Sequence, residues 1–123
     1  MMAVDFEIPA ARFGEGHSPY LSARLVADRL GVTLAELAKL IGVARNTLTA
    51  KSGARKVDNA LSSVVRILAM ASEMAGDEAR AVIWFKHQPI PGWAGKTAYD
   101  LVGEGKADKV LAYLESVRAG VYA

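Results

Sequence analysis

The sequence contains no cysteine and only two histidines, His17 and His87, among its 123 residues. Disulfides, thiolate metal ligands and cysteine nucleophiles are therefore excluded, and two histidines are too few for a site that needs three. Carboxylates are interspersed with lysines, and no histidine lies near an obvious serine nucleophile in the C-terminal half. We therefore expect no catalytic residues, no metal site and no cofactor.

Long uncharged apolar segments are also missing. No stretch approaches the roughly 20 apolar residues that cross a bilayer, and the first five residues lack the basic start and apolar core of a secretion signal. The formal net charge is only +2, so charge alone does not identify a nucleic-acid partner. We expect a soluble, cytoplasmic protein that does not associate with membranes.

Helical periodicity covers most of the chain, whereas the alternation of apolar and polar residues that indicates strands is absent. Residues 1–17 show no sustained period and are predicted to form a flexible N-terminal arm. Ser18 and Pro19 predict the start of a first helix that ends at Gly31. The expected fold class is all-α.

Residues that favour helix N-caps recur along the chain, and glycines follow several of the predicted helices. Thr33, with Glu36 three residues later, predicts a capping box. The predicted N-caps after the first helix are, in chain order, Thr33, Asp58 or Asn59, Asp77 and Thr97. A short polar helix over residues 44–51, anchored by Leu48, is predicted between the second helix and the long helix that ends at Gly76.

The helix that begins after Asp77 contains five consecutive apolar residues, from Ala81 to Phe85. We expect its Ala79, Val82 and Ile83 to face inward. Aromatic residues in helices usually belong to the core, so Trp84 is expected there. Trp93, on a later turn rich in proline and glycine, is the better candidate for an exposed or interfacial ring.

Residues 34–49 have the spacing of a helix-turn-helix motif. Ala38 is small where two helices would cross, Gly42 permits a tight turn, and Val43 and Leu48 seat the second helix. Polar side chains at the start of that helix can hydrogen-bond to base edges in a major groove, and the basic residues that follow can contact phosphates. The candidate DNA-binding residues are Arg45, Asn46, Thr47, Thr49, Lys51, Arg55 and Lys56.

One small recognition helix makes few contacts with DNA, so useful affinity normally needs a dimer that reads two half-sites. We therefore predict a homodimer. The apolar side of the long helix, within residues 61–75, can contribute to the dimer surface. The sequence does not distinguish a dimer from a higher oligomer.

The C-terminal part contains several motifs in a definite order, namely AVIWF at 81–85, QPIPG at 88–92, GKTAYDLV at 95–102, and Gly105 followed by an apolar helix and Gly120. In this order they resemble the toxin-binding region of Xre/MbcA/ParS antitoxins. The segment GVARNTL at 42–48 and the long helix after it resemble that family's Xre-type helix-turn-helix. The resemblance covers residues 20–123. Ala98 replaces the proline usual in the family, a change that a first helical turn tolerates.

The resemblance implies a partner for the protein. Antitoxins of this type bind RES-domain toxins, which deplete NAD, and cover the toxin's active site with their C-terminal helices and tail. From the candidate DNA-binding residues we also predict that the protein, as a dimer or in complex with the toxin, binds operator DNA and represses its own operon. The residues assigned to the toxin contact are Trp93, Lys96, Tyr99, Arg118, Gly120, Val121, Tyr122 and Ala123. From the residues alone, Val121 and Tyr122 can equally fold back on the last helix.

The expected organisation is an arm over 1–17, a helix-turn-helix region with a long connecting helix over 18–76, and a small helical toxin-binding module over 77–123. The main alternative function is a stand-alone dimeric helix-turn-helix transcription regulator. A third is an interaction scaffold with a degenerate helix-turn-helix, which would show no salt-sensitive binding to DNA.

Overall fold

The computed structural model describes residues 22–50 and 53–120, and these residues are helical apart from their connecting turns. The elements are α1 (Ala23–Leu30), α2 (Leu34–Ile41), a 3-10 turn (Arg45–Thr47), α3 (Ala54–Ala75), α4 (Glu78–His87), α5 (Ala98–Gly103) and α6 (Ala107–Arg118). Within the described ranges there is no strand, only an isolated antiparallel bridge between Pro89 and Thr97. The all-α prediction is confirmed. None of the described helices has the length and hydropathy needed to cross a bilayer.

Two helices begin with a capping box, in which side chain and backbone bond reciprocally. At α2, Glu36 N donates to Thr33 Oγ1 at 3.0 Å and Thr33 N donates to Glu36 Oε1 at 2.8 Å. At α5, Asp100 N donates to Thr97 Oγ1 at 3.1 Å and Thr97 N donates to Asp100 Oδ2 at 3.0 Å. Thr33 and Thr97 are therefore confirmed as N-caps.

The N-cap of α1 is Ser22, not Ser18 as predicted. Ser22 is extended, with φ −91° and ψ 120°, and its Oγ accepts a hydrogen bond from Leu25 N at 3.2 Å. Ser18 and Pro19 lie outside the described residues. Ser22 supplies the same capping hydroxyl immediately before Ala23, the first buried residue of the helix, which explains why it is the cap.

The start of α3 also differs from the prediction. The helix begins at Ala54, so Asp58 and Asn59 lie inside it and neither is its N-cap. Gly53 stands at the N-cap and supplies no side-chain hydrogen bond. Val57 in the first turn is only 2% exposed, so burial of an apolar side chain stabilises this helix start in place of a polar cap.

Helix α4 begins where predicted, but its buried face was predicted wrongly. Asp77 Oδ1 accepts from Arg80 N at 2.7 Å, which confirms Asp77 as the N-cap. Ala81 and Phe85 are fully buried, whereas Ile83 is 61% exposed. Ala79 is exposed as well, and Val82 is half-buried. Five consecutive apolar residues surround the helix on every side, so periodicity could not select the face that packs.

One hydrophobic core extends through all six helices and the turn before α5. Its largest fully buried side chains are Phe85, Leu30, Leu37, Leu61, Ile67, Ile90, Leu101, Val26, Val64 and Val110. They come from both sides of Gly76, so α1 and α2 share their packing with the C-terminal helices. Because α3 buries its apolar side here, little of residues 61–75 remains for a dimer surface beyond Met74, which is 37% exposed.

Two polar contacts join the end of α1 to α4. Arg29 Nη1 donates to both carboxylate oxygens of Glu78, at 2.9 and 3.0 Å. Lys86 Nζ donates to the carbonyl oxygen of Leu30 at 2.9 Å. The last carbonyls of a helix have no partner within that helix, so Lys86 satisfies one of them and fixes α4 against α1.

Candidate functional site

The segment predicted to read DNA forms less helix than expected. A helix was predicted over 44–51, but within residues 44–50 the structure has one 3-10 turn, Arg45–Thr47, in which Leu48 N donates to Arg45 O at 3.1 Å. Asn46, Thr47 and Thr49 are weak helix formers, and a short segment of such residues gains little from helix propagation. Leu48 is 7% exposed, so the predicted anchor is confirmed although the predicted helix is not.

The start of α3 lies directly against this 3-10 turn. A Cβ atom at Gly53 would lie 2.8 Å from Thr47 Cγ2 and 2.9 Å from the Thr47 carbonyl oxygen. Only glycine avoids that overlap without a shift of the backbone. The 3-10 turn and the first turn of α3 therefore form one continuous surface.

The candidate DNA-binding residues are mostly exposed on this surface. Those that are exposed are Arg45, Asn46, Thr49, Arg55 and Lys56, whereas Thr47 is half-buried. Lys51 lies outside the described residues. Three described residues of this set are cations, Arg45, Arg55 and Lys56. Within residues 22–50 and 53–120 none of them forms an ion pair, so their charges face solvent. We call this set of residues, 45–49 with 55–56, the basic surface.

The segment between α4 and α5 is a tightly hydrogen-bonded turn. Ile90 N donates to Lys96 O at 2.8 Å, and Lys96 N donates to Trp93 O at 3.0 Å. Ile90 is 2% exposed and anchors the turn in the core. Because both ends are fixed, the side chains of Trp93 and Lys96 project from a well-defined backbone.

Ala94 in this turn has a backbone conformation that alanine rarely adopts. Its φ is +54°, the only positive φ at a non-glycine residue of the described chain, and it lies between Gly92 and Gly95, whose φ values are also positive. The left-handed region costs an ordinary residue about 1–2 kcal/mol. The hydrogen bonds of the turn and the burial of Ile90 must offset that cost.

Trp93 and Lys96 belong to a cluster that the sequence did not indicate. Glu104, which follows α5, forms ion pairs with Lys96 Nζ at 2.7 Å and with Lys106 Nζ at 3.2 Å. Lys106 Nζ also lies 5.6 Å from the centroid of the Trp93 ring, within cation–π distance. We call these four residues the Glu104 cluster. No helical or strand spacing connects them, so only the folded turn brings them together.

The two lysines lower the pKa of Glu104, Lys96 first and Lys106 second, because both hydrogen-bond to its charged form. We therefore expect the Glu104 carboxyl to titrate below the usual range for glutamate. The stabilisation from these ion pairs is complete above that usual range and is lost as the pH falls through the lowered pKa. An NMR titration of the Glu104 carboxyl carbon measures this pKa. In K96Q/K106Q the midpoint should return to the usual value, and an equal midpoint in both proteins would contradict the assignment.

Tyr99 packs against the core while keeping part of its ring at the surface. Its ring meets Phe85 edge-on, with centroids 5.9 Å apart and planes at 75°. Burial, followed by the nearby charges of Glu36 and Asp100, raises the pKa of the Tyr99 hydroxyl. Tyr99 therefore stays neutral at physiological pH and can donate a hydrogen bond to a partner.

The remaining residues assigned to the toxin lie at the far end of α6. Arg118 Nη1 is 3.3 Å from Glu73 Oε1 on α3, and Gly120 ends the described chain with φ +85°. The residues Val121, Tyr122 and Ala123 lie outside the described residues. Helix α6 separates Lys106 from Arg118 by roughly 18 Å at 1.5 Å per residue. The predicted toxin contacts therefore form two patches, the Glu104 cluster with Tyr99 and the Arg118 end.

The described part of the chain contains no group of three or more histidine, aspartate or glutamate side chains that could hold a metal ion. Among the buried side-chain nitrogen and oxygen atoms there, none lacks a hydrogen-bond partner. The two patches present aromatic rings, cations and an ordered backbone turn.

Comparison with known proteins gives one family match, which covers part of the chain. Residues 70–120 match the family model described as the antitoxin Xre/MbcA/ParS C-terminal toxin-binding domain. No curated protein and no solved structure matches the chain significantly. The matched range begins in the last two turns of α3 and contains the Glu104 cluster, Tyr99, Arg118 and Gly120. The matched domain family is a non-catalytic module that binds a toxin, and residues 70–120 are similar to it.

Proposed function

We propose that the protein neutralises a RES-domain toxin that depletes NAD, by covering the entrance to the toxin's active site, and that it represses its own operon as a DNA-binding homodimer in the cytoplasm. The observation that carries the proposal is the family match over residues 70–120. The DNA-binding part rests on the basic surface. Both parts need only binding, which agrees with the non-catalytic nature of the matched family.

The two patches supply suitable groups for a protein partner. Tryptophan, tyrosine and arginine are enriched at the energetic centres of interfaces, and Trp93, Tyr99 and Arg118 are all partly accessible. The turn at 90–96 is already ordered by its own hydrogen bonds. A pre-organised surface loses less conformational entropy on association, so this turn suits tight binding.

The DNA-binding part has a specific structural weakness. A single 3-10 turn offers fewer residues to a major groove than the usual recognition helix does. Phosphate contacts from Arg45, Arg55 and Lys56 do not require that helix, because they depend on charge and position. We therefore expect strong salt dependence and modest sequence discrimination. A stand-alone transcription regulator, the alternative function, would have to read its sites with the same short turn.

Toxicity rescue tests the antitoxin function. The protein encoded by the adjacent reading frame is expressed alone and together with this chain, and growth and cellular NAD are followed. We expect the neighbour alone to stop growth and to lower NAD, and co-expression to restore both. Removal of residues 121–123 should abolish the rescue, because the resemblance assigns this segment to the toxin's active site.

The control for this test is R45Q, which alters the basic surface only and should rescue as well as the unmodified chain. A neighbour that leaves growth and NAD unchanged would refute the antitoxin function and favour the stand-alone regulator. Complete rescue by the chain without residues 121–123 would instead refute the covering mechanism while leaving toxin binding intact.

A further inference from the structure

An apolar groove runs along the C-terminal half of the molecule, between the end of α3, the middle of α4 and the last turns of α6. Its volume is about 200 Å³. The residues that line it are Ala71, Met74, Ala75, Trp84, Tyr113, Leu114 and Val117. No helix of the described chain covers this groove, and none of the predicted toxin contacts within residues 22–50 and 53–120 lines it.

The groove exposes apolar side chains that the core does not absorb. Met74 is 37% exposed, the highest value of any large apolar side chain in the described chain except Ile83. Trp84 and Val117 are only half-buried. Small alanines at 71 and 75 form one wall and leave the space open. Clustered apolar exposure of this kind indicates a surface that packs against something.

The chain itself supplies a candidate occupant next to the groove. Val117 lines the groove and lies three residues before Gly120, the last described residue. A glycine in the left-handed conformation, as Gly120 is, redirects the chain at the end of a helix. Val121 and Tyr122 follow it immediately. The segment therefore follows a helix whose last turn lines the groove, and it contains two apolar residues.

The dimensions of the groove suit this segment. On α6 the lining residues run from Tyr113 to Val117, about 6 Å along the axis at 1.5 Å per residue. Three extended residues reach about 10 Å, which is enough to span it. An apolar cavity of about 150 Å³ accommodates a benzene ring, so the groove is large enough for the ring of Tyr122. Its aromatic lining, Trp84 and Tyr113, offers edge or stacked contacts to that ring.

We propose that residues 121–123 dock into this groove when no partner is bound, with the Tyr122 ring against Trp84. Through the proposed function, on which this second step rests, docking competes with toxin binding, because the same segment cannot occupy both places. Only molecules with an undocked segment can then bind the toxin, so the apparent affinity falls in proportion to the undocked fraction. The groove and the toxin's active site therefore compete for residues 121–123.

Tryptophan fluorescence tests the docking without any toxin. The chain has only two tryptophans, so W93F leaves Trp84 in the groove as the single reporter. We compare W93F with W93F lacking residues 121–123, and with W93F/V121S/Y122S, which keeps the length of the segment but removes its apolar groups. Both altered segments should shift the Trp84 emission to the red and raise its acrylamide quenching constant. Circular dichroism checks that all three proteins are equally helical.

Two results would overturn the docking. Equal emission and quenching in all three proteins would show that residues 121–123 do not cover Trp84. Shielding of Trp84 that increases with protein concentration and survives removal of the segment would assign the groove to a second copy of the chain. A shift that is complete at every concentration supports the intramolecular contact.

A variant that fills the groove tests the competition separately from the proposed function. A75L adds bulk to the alanine wall and should expose the segment, so Trp84 in W93F/A75L should become insensitive to removal of residues 121–123. If the protein encoded by the adjacent reading frame is toxic, A75L should bind it more tightly than the unmodified chain does. Rescue of growth should then persist at lower expression of the A75L variant than of the unmodified chain. Weaker or equal binding would refute the competition, whereas a harmless neighbour would refute only the proposed function.

Discussion

Replacing Phe85 by alanine is expected to lower the free energy of unfolding by about 3–5 kcal/mol, the usual cost of removing a buried aromatic side chain. Phe85 is completely buried in α4 and meets the Tyr99 ring of α5 edge-on. The change therefore leaves a cavity and also removes an aromatic contact. Urea unfolding followed by circular dichroism measures the difference, because the midpoint shifts while the slope stays similar.

The matched control for this prediction is F85L, which keeps most of the volume and should cost less than about 1.5 kcal/mol. I83A provides a second comparison on the same helix. Ile83 is 61% exposed, so its truncation should change stability by no more than about 0.5 kcal/mol. A similar destabilisation in F85A and I83A would contradict the observed orientation of α4.

Removing the charges of the basic surface is expected to weaken DNA binding by at least about 100-fold, since hydrogen bonds to charged groups contribute about 1.5–3 kcal/mol each. The variant is R45Q/R55Q/K56Q. Removal of each phosphate-binding cation should also lower the salt slope by about 0.9, giving a total reduction of nearly 3. Fluorescence anisotropy with operator DNA at several salt concentrations measures both quantities.

A charge-matched control separates position from net charge. R24Q/R66Q/K109Q removes three other exposed cations and changes the net charge by the same amount. It should lower affinity only slightly and leave the salt slope nearly unchanged. Equal effects of the two triple variants would show that DNA is attracted by net charge alone, and the basic surface would lose its assigned role.

Local patterns in the sequence predicted several helix ends correctly. The capping boxes at Thr33 and Thr97 depend on residues three apart, and the sequence shows both partners. Asp77 is confirmed as an N-cap for the same reason. A cap needs only the chain next to it, so neighbouring residues determine it. Two predictions of this kind were wrong: Ser22, not Ser18, is the N-cap of α1, and Asp58 and Asn59 lie inside α3.

Features that depend on distant residues could not be predicted in the same way. The inward face of α4 is selected by the helices that pack on it, so Ala79 and Ile83 were assigned wrongly. The close approach of Gly53 to Thr47 is a contact that no spacing rule indicates. Glu104 joins Lys96 and Lys106 only after the turn at 90–96 has formed.

In the candidate sites, too, the sequence predicted features formed by neighbouring residues and missed those formed by distant ones. Sequence patterns were sufficient to nominate Trp93 and Lys96, because both lie in a motif with a recognisable order. The groove could not be predicted, because its walls come from α3, α4 and α6 and its apolar residues resemble ordinary core positions in sequence. Placement of the toxin contacts and the DNA contacts remains a prediction for experiment.

The contacts between α1 and α4 have a consequence for the lifetime of the protein in the cell. Arg29 and Lys86 connect the two halves on the surface, and Leu30 and Phe85 belong to the same buried cluster. Elements with shared packing open as one cooperative unit. A protease that captures the opened chain therefore removes both proposed activities together, so a bound partner on either side prolongs the survival of both.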